Sequence, residues 1–248
     1  MFAAVKSEIR KILTVRSTYA ILLVTVLLLG LFSFYATGFR ASAAQLLDPN
    51  LLKEQIQQAV ISTGLLGSIV GLLLVTNEYR YNTIMYTLTS SNSRTKVFFA
   101  KFIAVTAFSA VFTLIVAILA PVLTLAGVAV HGGAGLAPQT LQLSPLFWQV
   151  LFVGWGYSIF SFVIAMLIRV QVGAISAVFL IPAMVEPLLG LAMKKDAVYL
   201  PFNALQSVVV ENSSLKALSS GAAAGVTALY VAGLLIVAWV LFHRRDAN

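Results

Sequence analysis

Six stretches of this sequence are apolar for long enough to cross a membrane. A helix rises about 1.5 Å per residue, so about 20 apolar residues cover the roughly 30 Å of hydrocarbon in a bilayer. The candidates are 19–38, 59–76, 102–130, 147–168, 173–193 and 222–242. Only 10% of residues are charged and the mean hydropathy is +0.97, whereas soluble domains carry about 25% charged residues. The expected fold is an all-α polytopic membrane protein with six spans in a single transmembrane domain, 1–248. The fourth and fifth spans lie in one apolar block too long for a single crossing. Arg169, Gln171 and Gly173 interrupt it, which places a tight turn there. Pro121 is positioned to bend the long third span.

Lysine and arginine set the orientation of such a chain. Lys6, Arg10, Lys11, Arg16, Arg80, Arg94, Lys96, Lys101, Arg169, Arg244 and Arg245 fall on one side, and Arg40, Lys53, Lys194, Lys195 and Lys216 on the other. The richer side, which holds both termini, is therefore expected to be cytoplasmic. The net charge of +8 then reads as loops facing anionic lipid rather than as a nucleic-acid surface. With no cysteine, neither disulfides nor thiol chemistry is available.

The first 17 residues resemble the basic start of a signal peptide. The apolar run that follows is longer than a signal's 7–15 residues. Phe2, Val5, Ile9, Ile12 and Leu13 share one helical face, with Lys6, Arg10 and Lys11 off it. This pattern predicts a helix over 1–17 lying in the cytoplasmic interface. On the outer side, Asp48-Pro49 is an N-cap followed by proline at the first helical position. The glycine- and proline-rich loop 130–145 is expected to be irregular. In the outer loop 194–221, Leu200, Phe202, Leu205, Val208 and Val209 predict a return to the membrane or packing on neighbouring helices.

Between the second and third spans, "NEYRYNTIMYTLTSSNSRTKVFFAKF" (77–102) turns polar and basic. Tyr81, Ile84, Met85 and Leu88 fall at i, i+3, i+4 and i+7, one face of a helix of about three turns, with Asn77 placed to cap its start. Thr89 to Ser93 would stop it, and Ser93 would cap the next helix. Arg94, Lys96 and Lys101 then precede the third span, where they can reach lipid phosphates. A helix that rests on lipid concentrates cations on its polar face. This one carries tyrosines and a methionine with a single cation before the turn, a composition closer to a protein-docking surface.

The order of parts resembles the permease subunit of ABC-2 type exporters. The resemblance rests on "SEIRKILTVRSTY" (7–19), the 77–102 stretch and "YLPFNAL" (199–205). Within these, Glu8 and Lys11, Glu78 and Arg80, Thr83 and Ile84, then Ser93, Arg94 and Lys101 fit the family's loose pattern. The resemblance implies an N-terminal interface helix marked by Glu8 and Lys11, and a cytoplasmic coupling segment over 77–101. It implies contact with an ATPase subunit through Glu78, Tyr79, Arg80, Tyr81, Ile84, Met85, Leu88 and Arg94. It also implies two copies of that ATPase, which would hold ATP and Mg, and a second permease subunit, either identical or a close paralogue. No cofactor is expected in this chain, and a bacterial plasma membrane is the expected setting. The competing reading is a secondary transporter or channel driven by an ion gradient.

The sequence gives little support to catalysis. The dipeptide Gly-Lys of a nucleotide-binding P-loop does not occur, and His131 and His243 lack the spacing of a metalloprotease. Glu186 is the one acid inside a span, flanked by Pro182 and Pro187, which should break or kink the helix. It reads either as a polar gate or substrate contact, or as an acid held by a broken helix terminus or by Lys194 and Lys195; the second reading is preferred. Gly64, Gly67 and Gly71, and Gly221 with Gly225, are small-residue motifs suited to close helix packing. Asn212-Ser213-Ser214 matches a glycosylation acceptor.

Overall fold

In the computed structural model, residues 1–42, 45–91, 93–131, 143–210 and 218–244 are described. Asn92, most of loop 130–145, the 212–214 acceptor, Lys216 and Arg245 lie outside them. The described residues contain no strand. They form ten α-helices: α1 Phe2–Thr14, α2 Arg16–Tyr35, α3 Pro49–Arg80, α4 Ile84–Ser91, α5 Arg94–Val130, α6 Leu143–Ile168, α7 Gln171–Leu180, α8 Glu186–Met193, α9 Pro201–Ser207 and α10 Ser220–Arg244. Six helical segments are long and apolar enough to span a bilayer, with α7 and α8 contributing one between them.

Local sequence explains most of the boundaries. Asp48 caps α3, its carboxylate accepting from Asn50 N at 2.9 Å, and Pro49 occupies the first turn, where a missing N–H costs nothing. Ser93 caps α5 by accepting from Lys96 N. Between α6 and α7 the chain reverses within two residues, with Arg169 at φ 61°. The fifth span bends without breaking. At Pro182 the helix widens into a π-turn over Ile181–Val185, which absorbs the missing hydrogen bond, and then resumes as α8. Pro121 likewise sits inside an uninterrupted α5.

The spans are unequally buried. Helices α3 and α6 form the centre and pack on each other, while α2, α7–α8 and α10 are mostly exposed. Ser161 Oγ donates to Ser68 Oγ at 2.7 Å across the α3–α6 contact. Small residues set the close approaches. A Cβ on Gly67 would lie 2.0 Å from the Phe112 ring, and one on Gly71 would lie 2.9 Å from Val105, so both glycines face α5 within the subunit. Gly221 and Gly225 face open space instead. At the end of the bundle away from α4, Thr37 Oγ1 donates to Thr124 O where α2 meets α5. A Cβ on Gly127 would come within 2.7 Å of the Phe34 carbonyl oxygen there.

Residues 194–210 fold back onto the bundle, as their apolar pattern predicts. A 3-10 turn over Lys194–Tyr199 leads into α9, and Phe202, Leu205, Val208 and Val209 are buried. Gln57 of α3 donates to Val209 O.

Candidate functional site: a buried ion cluster beneath the α3–α5 segment

Four charged side chains from three helices meet at the end of the bundle that carries α4. Glu8 and Lys11 come from α1, Glu78 from the last turn of the long α3, and Lys101 from the second turn of α5. Lys101 Nζ lies 2.8 Å from Glu8 Oε2 and 2.7 Å from Glu78 Oε1. Lys11 Nζ lies 2.7 Å from Glu8 Oε1 and also contacts Glu78 Oε1. Lys11 reaches Thr87 Oγ1 of α4 at 3.4 Å as well. Glu8, Glu78 and Lys101 are 3%, 5% and 1% exposed. Two anions and two cations make the cluster neutral, the condition under which buried charge is tolerated.

Glu8 and Lys11 are one turn apart, so a single helix presents both a cation and an anion inward. Ile12 packs beside them, while Phe2 and Leu13 of the expected apolar face remain exposed. Burial disfavours the Lys11 ammonium, but Glu78 and then Glu8 outweigh it and raise its pKa above 10.5. A raised lysine pKa contributes stability below the unfolded value of about 10.4 and loses it as pH rises through the folded value. With Glu78 and Glu8 ionised, Lys11 therefore contributes throughout the neutral range and loses its contribution in alkali.

Lys101 was expected to reach lipid phosphates. It points into the protein instead, because two buried carboxylates on α1 and α3 solvate it better than a long detour to the interface would. Arg94 is also diverted. Its Nη1 donates to the carbonyls of Phe242 and His243 at 3.3 and 3.2 Å, capping the C-terminus of α10. Thr95 Oγ1 lies 2.9 Å from His243 Nε2 at the same junction.

Helix α4 is shorter than the periodicity predicts. Asn77 lies within α3, which continues to Arg80, and Tyr81 closes that helix. Asn82 takes φ 51°, so the chain turns before α4 begins at Ile84 and runs for eight residues. Tyr81 therefore sits at the turn and not on α4. Ile84 is 2% exposed and anchors α4 to the core, with Leu88 half-buried behind it. Tyr81, Met85 and Tyr86 are 65%, 49% and 75% exposed. Of the residues expected to meet an ATPase, then, Arg80, Tyr81 and Met85 lie on the surface, Tyr79, Leu88 and Arg94 are half-buried, and Glu78 and Ile84 face inward. Tyr86 joins the exposed set although the i, i+3, i+4, i+7 pattern passes over it.

The same platform reaches the α6–α7 turn. Arg80 Nη1 donates to Gln171 Oε1 at 2.9 Å, and the Arg169 guanidinium sits 5.1 Å from the Tyr79 ring centre. The short segment from Glu78 to Thr95 is thus linked by side chains to α1, to the α6–α7 turn and to α10.

Glu186 lies at the opposite end. It is 1% exposed, and its two oxygens accept from Phe202 N and Asn203 N, each at 2.8 Å. These are otherwise unsatisfied amides of the first turn of α9, which the helix dipole makes attractive to a carboxylate. The acid therefore docks α9 onto the fifth span, beside a cavity of about 410 Å³ that it lines with Gln58, Lys194 and Gln206. Glu186→Ala is expected to cost about 1–3 kcal/mol, because a cap is lost and two amides are left unpaired. Thermal unfolding of the purified protein measures this; an unchanged melting temperature would leave only a pathway role.

A comparison with curated proteins found no match. The model of the ABC-2 family transporter protein matches residues 4–193, which take in all four members of the ion cluster, the α4 segment and five of the six spans. The chain, with its six membrane-crossing helical segments and its buried link between α1, α3 and α5, belongs to the ABC-2 transporter family and is an integral membrane protein.

Proposed function

We propose that this chain is the permease subunit of an ATP-driven exporter, working with a second permease subunit and two copies of a separate ABC ATPase that hold ATP and Mg. The observation that carries this reading is the exposed surface formed by Tyr81, Met85 and Tyr86 on a segment otherwise locked to the bundle. Aromatic and methionine side chains with few charges are the composition of protein interfaces. The links through Lys11, Lys101, Arg80 and Arg94 supply a route by which movement of a docked partner reaches the spans. In this reading the α4 end and both termini are cytoplasmic, in keeping with the excess of Lys and Arg there.

Affinity capture tests the assignment. The tagged protein, expressed with its neighbouring genes, is expected to retain an ABC ATPase through purification. If no ATPase gene adjoins it and none is captured, the reading fails. Flux that follows an ion gradient and ignores ATP depletion would instead establish the secondary-transporter alternative.

A further inference from the structure

Helices α5 and α10 are pinned together at one end and separate above it. The pin consists of Arg94 on the last carbonyls of α10 and the Thr95–His243 contact. Beyond it a cleft of about 380 Å³ opens between the helices. Phe98, Phe99, Phe102, Leu235, Ile236 and Trp239 line it, and its lining is wholly apolar. The walls are stiff, because Phe98 packs edge-on against Phe162 and Phe99, with Phe242 tilted against it. The cleft opens outward from the bundle, where Phe99 and Ile236 are exposed.

Cations stand at the pinned end. Lys96 lies one turn before Phe99 on the same stripe of α5 and is exposed. Arg244 ends α10 beside His243 and is exposed too. Neither forms an ion pair among the described residues. An apolar cleft running away from two interfacial cations matches an amphiphile with an acyl chain and an anionic head. A second copy of this chain fits less well, because a two-fold contact here would bring Lys96 and Arg244 towards their own copies.

We propose that the α5–α10 cleft binds one anionic phospholipid, its acyl chain among the aromatic rings and its phosphate on Lys96 and Arg244. The site is independent of the ATPase assignment, since it needs only a bilayer. Trp239 reports on it. In a full-length Trp148→Phe/Trp155→Phe protein reconstituted in phosphatidylcholine, a small fraction of brominated phosphatidylglycerol is expected to quench Trp239 about fivefold more than the same fraction of brominated phosphatidylcholine. Lys96→Ala/Arg244→Ala should remove that preference. Native mass spectrometry of the protein with all three tryptophans provides a second readout: one phosphatidylglycerol retained, and lost in Lys96→Ala/Arg244→Ala. Equal quenching by both lipids, or a preference that survives the double substitution, overturns the proposal. So does a cleft closed to both lipids in a dimeric protein, which would make a second copy its occupant.

Discussion

A Lys101→Met protein is expected to lose about 3–5 kcal/mol of stability, the usual result of removing one partner from a buried ion pair. Lys101 is the only member of the cluster that contacts both carboxylates from inside the protein, at 2.8 and 2.7 Å. Without it, Glu8 and Glu78 share Lys11 alone, whose side chain is one-third exposed. Methionine fills the volume, so the loss reports charge and not packing. A second substitution refines the result. Glu8→Gln placed on Lys101→Met leaves a single Glu78–Lys11 pair and should recover part of the loss, since directly coupled sites are not additive. Thermal unfolding in detergent or nanodiscs measures both proteins. If Lys101 reached lipid phosphates, as its place before a span predicts, the single substitution would change little.

The second large effect is on coupling. Replacing Tyr81, Met85 and Tyr86 together by aspartate is expected to abolish transport while leaving insertion and folding intact. All three side chains are exposed, so their loss costs the fold little. Aromatic anchors in an interface each contribute about 2 kcal/mol or more, about 30-fold in affinity, and buried carboxylates add repulsion. The ATPase should continue to turn over nucleotide without driving movement, or should dissociate. Ile84→Asp is the contrast. It buries a charge at a position 2% exposed and should instead reduce the amount of folded protein. Full transport by the triple variant would mean that α4 only rests on lipid.

The two effects differ in how visible they were in the sequence. The six spans, the Asp48 and Ser93 caps and the turn at Arg169 follow from local chemistry, because each depends on residues a few positions apart. The inward return of residues 200–209 was legible for the same reason. The ion cluster was not. Glu78 and Lys101 stand 70 and 93 positions from Glu8, and nothing local distinguishes a lysine that reaches lipid from one that turns to a carboxylate on another helix. The available signal was coarse: two acids and two lysines adjoin long apolar runs, where unpaired charge is expensive. Arg94 failed to declare itself because its acceptors are backbone carbonyls, which no residue type marks. The start of helix α4 is hidden from the sequence, because Asn82 adopts a left-handed turn that the i, i+3, i+4, i+7 pattern runs straight through. Glu186 was readable because its flanking prolines announced a distorted helix, although its partners, two backbone amides of α9, were not.

Site-directed photo-crosslinking tests the central claim, that the exposed α4 surface receives a partner ATPase. A benzoylphenylalanine at position 86 replaces a tyrosine that is 75% exposed and can be irradiated in cells that express the protein with its neighbouring genes. The account predicts a covalent adduct with the ATPase at position 86, and none from the same probe at Leu229 of α10, which is 76% exposed on a spanning face. Adducts with lipid alone at position 86, with the ATPase present, would contradict it.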